Sequence, residues 1–163
     1  MIIYIPKFNY IKARIFSFFD KETGTHNFQS DKAIESITSG GFFGKGIGEG
    51  TLKNRVPDAH TDYIISVISE EFGVIAIILI IILFLVLIYM VFKKISFETE
   101  EQNKLILIGS VSLILMQATI HIGVNIRLFP TTGMTLPFLS YGGSSIISTS
   151  ILAGIILNLT KRK

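Results

Sequence analysis

Phe72-Gly73-Val74-Ile75-Ala76-Ile77-Ile78-Leu79-Ile80-Ile81-Ile82-Leu83-Phe84-Leu85-Val86-Leu87-Ile88-Tyr89-Met90-Val91-Phe92 runs for about 21 residues without a charge. At about 1.5 Å per residue, that much helix crosses the roughly 30 Å hydrocarbon core of a bilayer. Lys93-Lys94 closes the run, and its start extends back towards Asp62 and Ile64. Leu105 to Ile126 is a second run of similar length. Ser144 to Leu159 is shorter and reaches spanning length if it begins near Tyr141 and ends at Lys161-Arg162-Lys163. The pattern predicts an all-α integral membrane protein with about three transmembrane helices and a long outer loop.

Composition agrees. Of 163 residues 49% are hydrophobic, and the mean hydropathy of +0.58 is too apolar for a small soluble domain. With no cysteine, no disulfide framework is possible. The net charge of +3 is modest, and basic and aromatic residues do not interleave as a nucleic-acid surface requires. Met1-Ile2-Ile3-Tyr4-Ile5-Pro6 lacks the basic leader of a signal peptide and reads as the tail of an interrupted apolar segment, which suggests a piece of a longer protein or an unusually late start codon.

Charge sets the expected topology. Lys93, Lys94 and Lys104 bracket one short loop, and Lys161, Arg162 and Lys163 lie two spans later on the same side. Positive charge in short loops marks the cytoplasmic side. Residues 1–62 are then an outer-face loop with short interfacial helices, 63–92 a span, 93–104 a cytoplasmic loop and 105–126 a span. Residues 127–143 form an outer or re-entrant loop, 144–160 a span and 161–163 a cytoplasmic tail. In the first loop Ile11, Ile15, Phe18 and Phe19 recur at helical spacing, which suits either a helix in the headgroup region or a packed linker. Asp20 to Gly24 reads as a turn, and a short helix is expected from Asp31 to about Ile37, capped by Ser30 or Asp31.

Three polar features interrupt the apolar pattern. Gln117, His121 and Asn125 fall at i, i+4 and i+8 and form one stripe, with Ser110 near the same face. Such groups either bond neighbouring helices or line a polar path. The segment Phe129 to Ser145 mixes two prolines, three glycines and hydroxyls with Met134, Leu136, Phe138 and Leu139. That combination suits a re-entrant element buried by protein. Finally, Asp62 stands about two residues before the first span, behind the glycine-dense stretch Ser39 to Gly50. A carboxylate at a membrane boundary needs a partner or a task; a helix N-cap is the plain alternative. The glycines permit close backbone approach to a ligand. They do not form a phosphate-binding P-loop, because no Gly-Lys-Ser/Thr follows a strand. The alternation Asp58, His60, Asp62 is a weak metal pattern.

Four blocks in order carry a resemblance. Ser39-Gly40-Gly41-Phe42-Phe43-Gly44-Lys45-Gly46-Ile47-Gly48-Glu49-Gly50, Pro57-Asp58-Ala59-His60-Thr61-Asp62-Tyr63-Ile64 and Glu70-Glu71-Phe72-Gly73 resemble the large outer loop of SEDS proteins, the family of FtsW, RodA and SpoVE. Leu136-Pro137-Phe138-Leu139-Ser140-Tyr141-Gly142-Gly143-Ser144-Ser145 resembles the C-terminal signature of that family. The spacing Gly46-x-Gly48-x-Gly50 and Pro130 to Thr135 look more like the FtsW branch than the RodA branch. The resemblance covers nearly the whole chain but only the last three spans of a roughly ten-span fold.

The resemblance implies a peptidoglycan glycosyltransferase of cell division that polymerises lipid II, the undecaprenyl-pyrophosphate-linked disaccharide peptide, in the bacterial inner (plasma) membrane. It implies that the large loop faces the periplasm or cell exterior. Asp62 matches the essential outer-loop aspartate, the proposed catalytic carboxylate, and Gln29, Gln117 and Asn125 match polar positions of the family. Lys45, Lys53 and Arg55 share the loop and can contact the anionic substrate, or stand as solvated charges. A divalent cation is the other means of stabilising the pyrophosphate. The implied partners are a class B penicillin-binding protein transpeptidase and other divisome membrane proteins. The sequence departs from the family pattern at His121, Arg127 and Asp58. A lipid-linked precursor flippase, or a non-catalytic divisome scaffold or relic fragment, are the alternatives: an enzyme needs Asp62, a flippase needs the polar stripe, and a scaffold needs neither.

Overall fold

A computed structural model of the chain describes residues 25–56 and 59–161, with side chains from residue 28 onward. The expected interfacial helix and turn before residue 25, and Pro57 and Asp58, lie outside the described residues. Within them every regular element is a helix: α1 (Thr25–Gly40), α2 (Leu52–Arg55), α3 (Ile64–Phe97), α4 (Glu101–Asn125) and α5 (Gly143–Lys161). Three of these, α3, α4 and α5, are long and apolar enough to cross a membrane.

Several ends differ from the sequence expectation. The helix expected to begin near Asp31 begins at Thr25, so neither Ser30 nor Asp31 caps it. Packing of the buried Ala33 with Leu52, Val56 and Tyr63 supports α1 as a longer element than propensity alone would hold. α3 runs past Lys93-Lys94 to Phe97, and Lys94 pairs with Glu98 at i, i+4. α4 starts four residues before Leu105, with Glu101 in its first turn, where a negative charge suits the helix dipole.

α3 is broken once. Gly73 adopts φ 79°, ψ −178°, a backbone state essentially confined to glycine. The glycine-dense loop fills the break. Gly41 O accepts from Val74 N at 3.0 Å, while Lys45 N and Gly46 N donate to Glu70 O and Glu71 O at 2.8 and 3.1 Å. The fit leaves no room for side chains. A Cβ on Gly40 would lie 2.0 Å from Ser69 O, one on Gly44 2.2 Å from Glu71 O, and one on Gly73 2.1 Å from Phe42 O. These glycines thus permit close approach to the protein's own backbone.

Three apolar clusters hold the helices. Tyr63, Val67 and Val124 join α1 and α2 to the upper ends of α3 and α4. Leu107, Val111, Ile114, Val91, Ile156 and Leu159 pack α3, α4 and α5 at the other end. Between them Ile65 and Ala118 enclose Leu136 of the segment that follows α4, with Ile77 and Phe84 alongside. That segment therefore reaches back along α3. Leu136 and Pro137 are buried, whereas Phe138 and Leu139, expected to be buried with them, are exposed and flank an apolar cleft with Leu79, Leu83 and Leu87. Phe138 takes a positive φ of 67°, strain a non-glycine residue bears only in a tightly held loop.

Candidate active site

The residues around Asp62 are held by their backbone. Tyr141 N donates to His60 O at 3.1 Å. Thr61 O accepts from Ser140 Oγ at 2.8 Å and contacts His121 Nε2 at 3.2 Å. Asp62 O accepts from Asn125 Nδ2 at 2.9 Å. Three successive carbonyls are thus gripped by α4 and by the Ser140-Tyr141 turn that leads into α5. A carbonyl only accepts, so Nε2 carries the His121 proton, and Nδ1 faces Asn125 Nδ2 at 3.4 Å.

Each holder is itself held. Asn125 Oδ1 accepts from Ser66 Oγ and Ser66 N at 2.8 and 3.2 Å, which pins the first turn of α3. Ser140 Oγ accepts from Leu136 N at 2.8 Å. Gln117 Nε2 donates to Thr135 O at 2.8 Å and lies 3.2 Å from Ser145 Oγ, so it fastens the re-entering segment to α4 and α5. The α4 stripe is therefore interhelical bonding, satisfying polar groups where water is scarce. Asp62 itself is half-buried, and Asp62 Oδ2 would lie 3.9 Å from a Cβ at Gly133. The capping position of α3 belongs to Tyr63, one residue further on.

The loop cations sit elsewhere. Lys45 Nζ pairs with Glu70 at 2.8 Å and Lys53 Nζ with Glu71 at 3.1 Å, about two turns along α3 from Asp62. Glu70 is almost wholly buried and also accepts from Thr51 Oγ1 and Leu52 N, at 3.0 and 2.9 Å, so it caps α2. Arg55 lies 4.0 Å from Glu35, whose carboxyl Lys32, by hydrogen bond and by charge, holds below its usual range. Gln29 lies in α1, beside Ser30, whose Oγ is 3.4 Å from Tyr63 Oη. The structure thus brings Asn125 to Asp62, places Gln117 beneath the neighbouring loop, and takes Lys45 and Lys53 to the kink. Among the described residues no group of three His, Cys, Asp or Glu gathers to hold a metal ion.

Sequence spacing missed two holders. Ser140 was visible only as part of a block, and nothing in the pattern says that it bonds residue 61. Arg127, with a positive φ of 60°, pairs with Asp31 and ties the end of α4 to α1.

Comparison with known proteins fits this architecture. The profile of a family described as cell cycle protein, FtsW/RodA/SpoVE, matches residues 1–163. The chain belongs to this family. A Caulobacter vibrioides relative, named "Probable peptidoglycan glycosyltransferase FtsW", is 39% identical over 157 residues, covering 96% of this chain and 40% of the relative. An Enterococcus hirae relative of the same name is 40% identical over 137 residues, covering 83% of this chain and 34% of the relative. The chain thus spans well under half the length of these FtsW relatives. A chain of a solved peptidoglycan synthase complex, described as coordinating polymerization and crosslinking, matches with a TM-score of 0.70 at 28% identity, over 93% of this chain and 41% of that one.

Proposed function

We propose that this chain supplies the catalytic outer-face part of a division-type peptidoglycan glycosyltransferase, with Asp62 as general base on lipid II. The observation that carries the reading is the grip on the His60, Thr61 and Asp62 carbonyls. Preorganisation of this kind is what a carboxylate needs to take a proton from a weak sugar nucleophile. In the reaction the 4-hydroxyl oxygen bonds to the anomeric carbon of the partner sugar, its proton passes to Asp62, and the bond to the lipid pyrophosphate breaks. Lys45, Lys53, Arg55 and Gln29 are candidates for contacting the substrate; the two lysines reach it only by leaving Glu70 and Glu71. The engagement of Gln117, His121 and Asn125 in bonds to loops supports an enzyme over a flippase, whose path would want those groups open.

The loop side faces the periplasm or exterior of the plasma membrane, and Lys93, Lys94 and Lys104 face the cytoplasm. A class B penicillin-binding protein is the proposed partner, with other divisome membrane proteins; likeness to a chain of a synthase complex supports it. The test is glycan-strand synthesis from purified lipid II, with the chain co-expressed with the N-terminal segment of a longer relative. Polymer is expected with Asp62 and absent with Asp62→Asn, at unchanged melting temperature. Polymer that survives Asp62→Asn overturns the assignment. Absence of polymer with Asp62 intact, in a folded complex, favours a scaffold.

A further inference from the structure

Phe42 and Phe43 stand out at the tip of the glycine loop, 74% and 84% exposed. Their height relative to α3 is fixed by the backbone: Gly41 O bonds Val74 N, and Phe42 O lies against Gly73. The two rings therefore sit level with Phe72 to Val74, where the uncharged run of α3 begins. Phe72 and Ile75 are exposed at the same level, and Ile78 and Leu79 continue that surface along the span. The charged pairs Lys45–Glu70 and Lys53–Glu71 lie just before Gly73 in α3, on the aqueous side. Polarity thus changes sign across one turn of α3, and the aromatic tip falls on its apolar side.

We propose that Phe42 and Phe43 form a membrane anchor that enters the headgroup–acyl boundary of the leaflet on the loop side. Continuity with the span surface identifies the occupant as lipid. Phenylalanine is among the residues that membrane-surface elements bury at this boundary, driven by removal of apolar area from water. The Gly44 N to Gly40 O bond of 2.8 Å closes the turn and presents the rings on a fixed backbone. The anchor would hold the glycine loop, and through the kink the first turns of α3, at a set depth.

The chain contains no tryptophan, so Phe43→Trp introduces a single reporter. The full chain is reconstituted in phosphatidylcholine–phosphatidylglycerol vesicles carrying bromine at shallow or deep acyl positions, with iodide as aqueous quencher. Ile82→Trp, at an exposed position within α3, provides the deep reference. Residue 43 is expected to show blue-shifted emission, its largest intensity loss with shallow bromine, and little loss with iodide. Quenching by iodide without bromine quenching would place the tip in water and overturn the proposal. Protection from both quenchers would mean a protein cover, and overturns it equally. Phe42→Trp is the second reporter: silence of both towards shallow bromine, with Ile82→Trp quenched by deep bromine, rejects the anchor.

Discussion

Gly73 joins the membrane span to the glycine-dense loop, and its conformation admits no other residue at low cost. A methyl group there meets both a positive φ and the Phe42 carbonyl. Gly73→Ala is expected to cost about 2–6 kcal/mol, as strain plus overpacking, measured as a fall in melting temperature of the detergent-solubilised protein. Lys45 offers a second test at this scale. Lys45→Met leaves the buried Glu70 carboxylate without its cation, and should destabilise by about 1–3 kcal/mol. If Lys45 only serves Glu70, pairing Lys45→Met with Glu70→Gln, which removes the charge but keeps a side-chain oxygen for Leu52 N, restores most of the stability and polymer synthesis. Recovered stability without synthesis would assign Lys45 to the substrate. Asp62 was legible in the sequence as a candidate, because a charge at the mouth of an apolar run is conspicuous. The glycines were half legible: their freedom can be read from residue type, but what approaches them cannot.

α4 reads as a span with a polar stripe, and the stripe proves to be a set of clasps. Its spacing was legible, its partners were not, since Thr61 and Ser140 are brought to it only by tertiary folding. For the proposed base, Asn125 acts as a positioning residue, bonding Asp62 through its backbone carbonyl. Asn125→Ala should lower kcat about tenfold to a hundredfold, the scale expected of small displacements in an active site, with KM nearly unchanged. Asn125→Asp keeps the acceptor for Ser66 but turns a buried carboxylate towards the Asp62 and His121 carbonyls, so it should lose stability as well as rate and give no rescue. A loss of kcat in Asn125→Ala that only tracks its loss of stability would mark Asn125 as purely structural. His121 and Arg127, the departures from the family pattern, belong to the same scaffold: one grips Thr61 O, the other reaches Asp31.

At the scale of the whole molecule, an apolar cleft of about 720 Å³ opens between α3 and α5, walled by Leu83, Met90, Phe97, Phe138 and Leu157. The chain spans 40% of its Caulobacter relative, and the proposed enzyme needs the remaining spans. The chain without them is expected to make no polymer, and co-expression of the N-terminal segment of a longer relative should protect a Leu157→Cys thiol in this cleft from alkylation by a maleimide. Unchanged labelling would mean that the segment docks elsewhere. Arg127 and Asp31 link two distant parts of the surface, but both are too exposed for the pair to matter much: Arg127→Ala should change stability by no more than about 1 kcal/mol. The docking of residues 40–46 against the break in α3 has a consequence for biogenesis. The ribosome delivers the loop before the helix that receives it, so order of synthesis and order of docking are opposed. Until α3 has folded with its kink, the Glu70 and Glu71 carbonyls are not in place for the Lys45 and Gly46 amides. The glycine loop therefore docks only after the helix that follows it in the chain has formed.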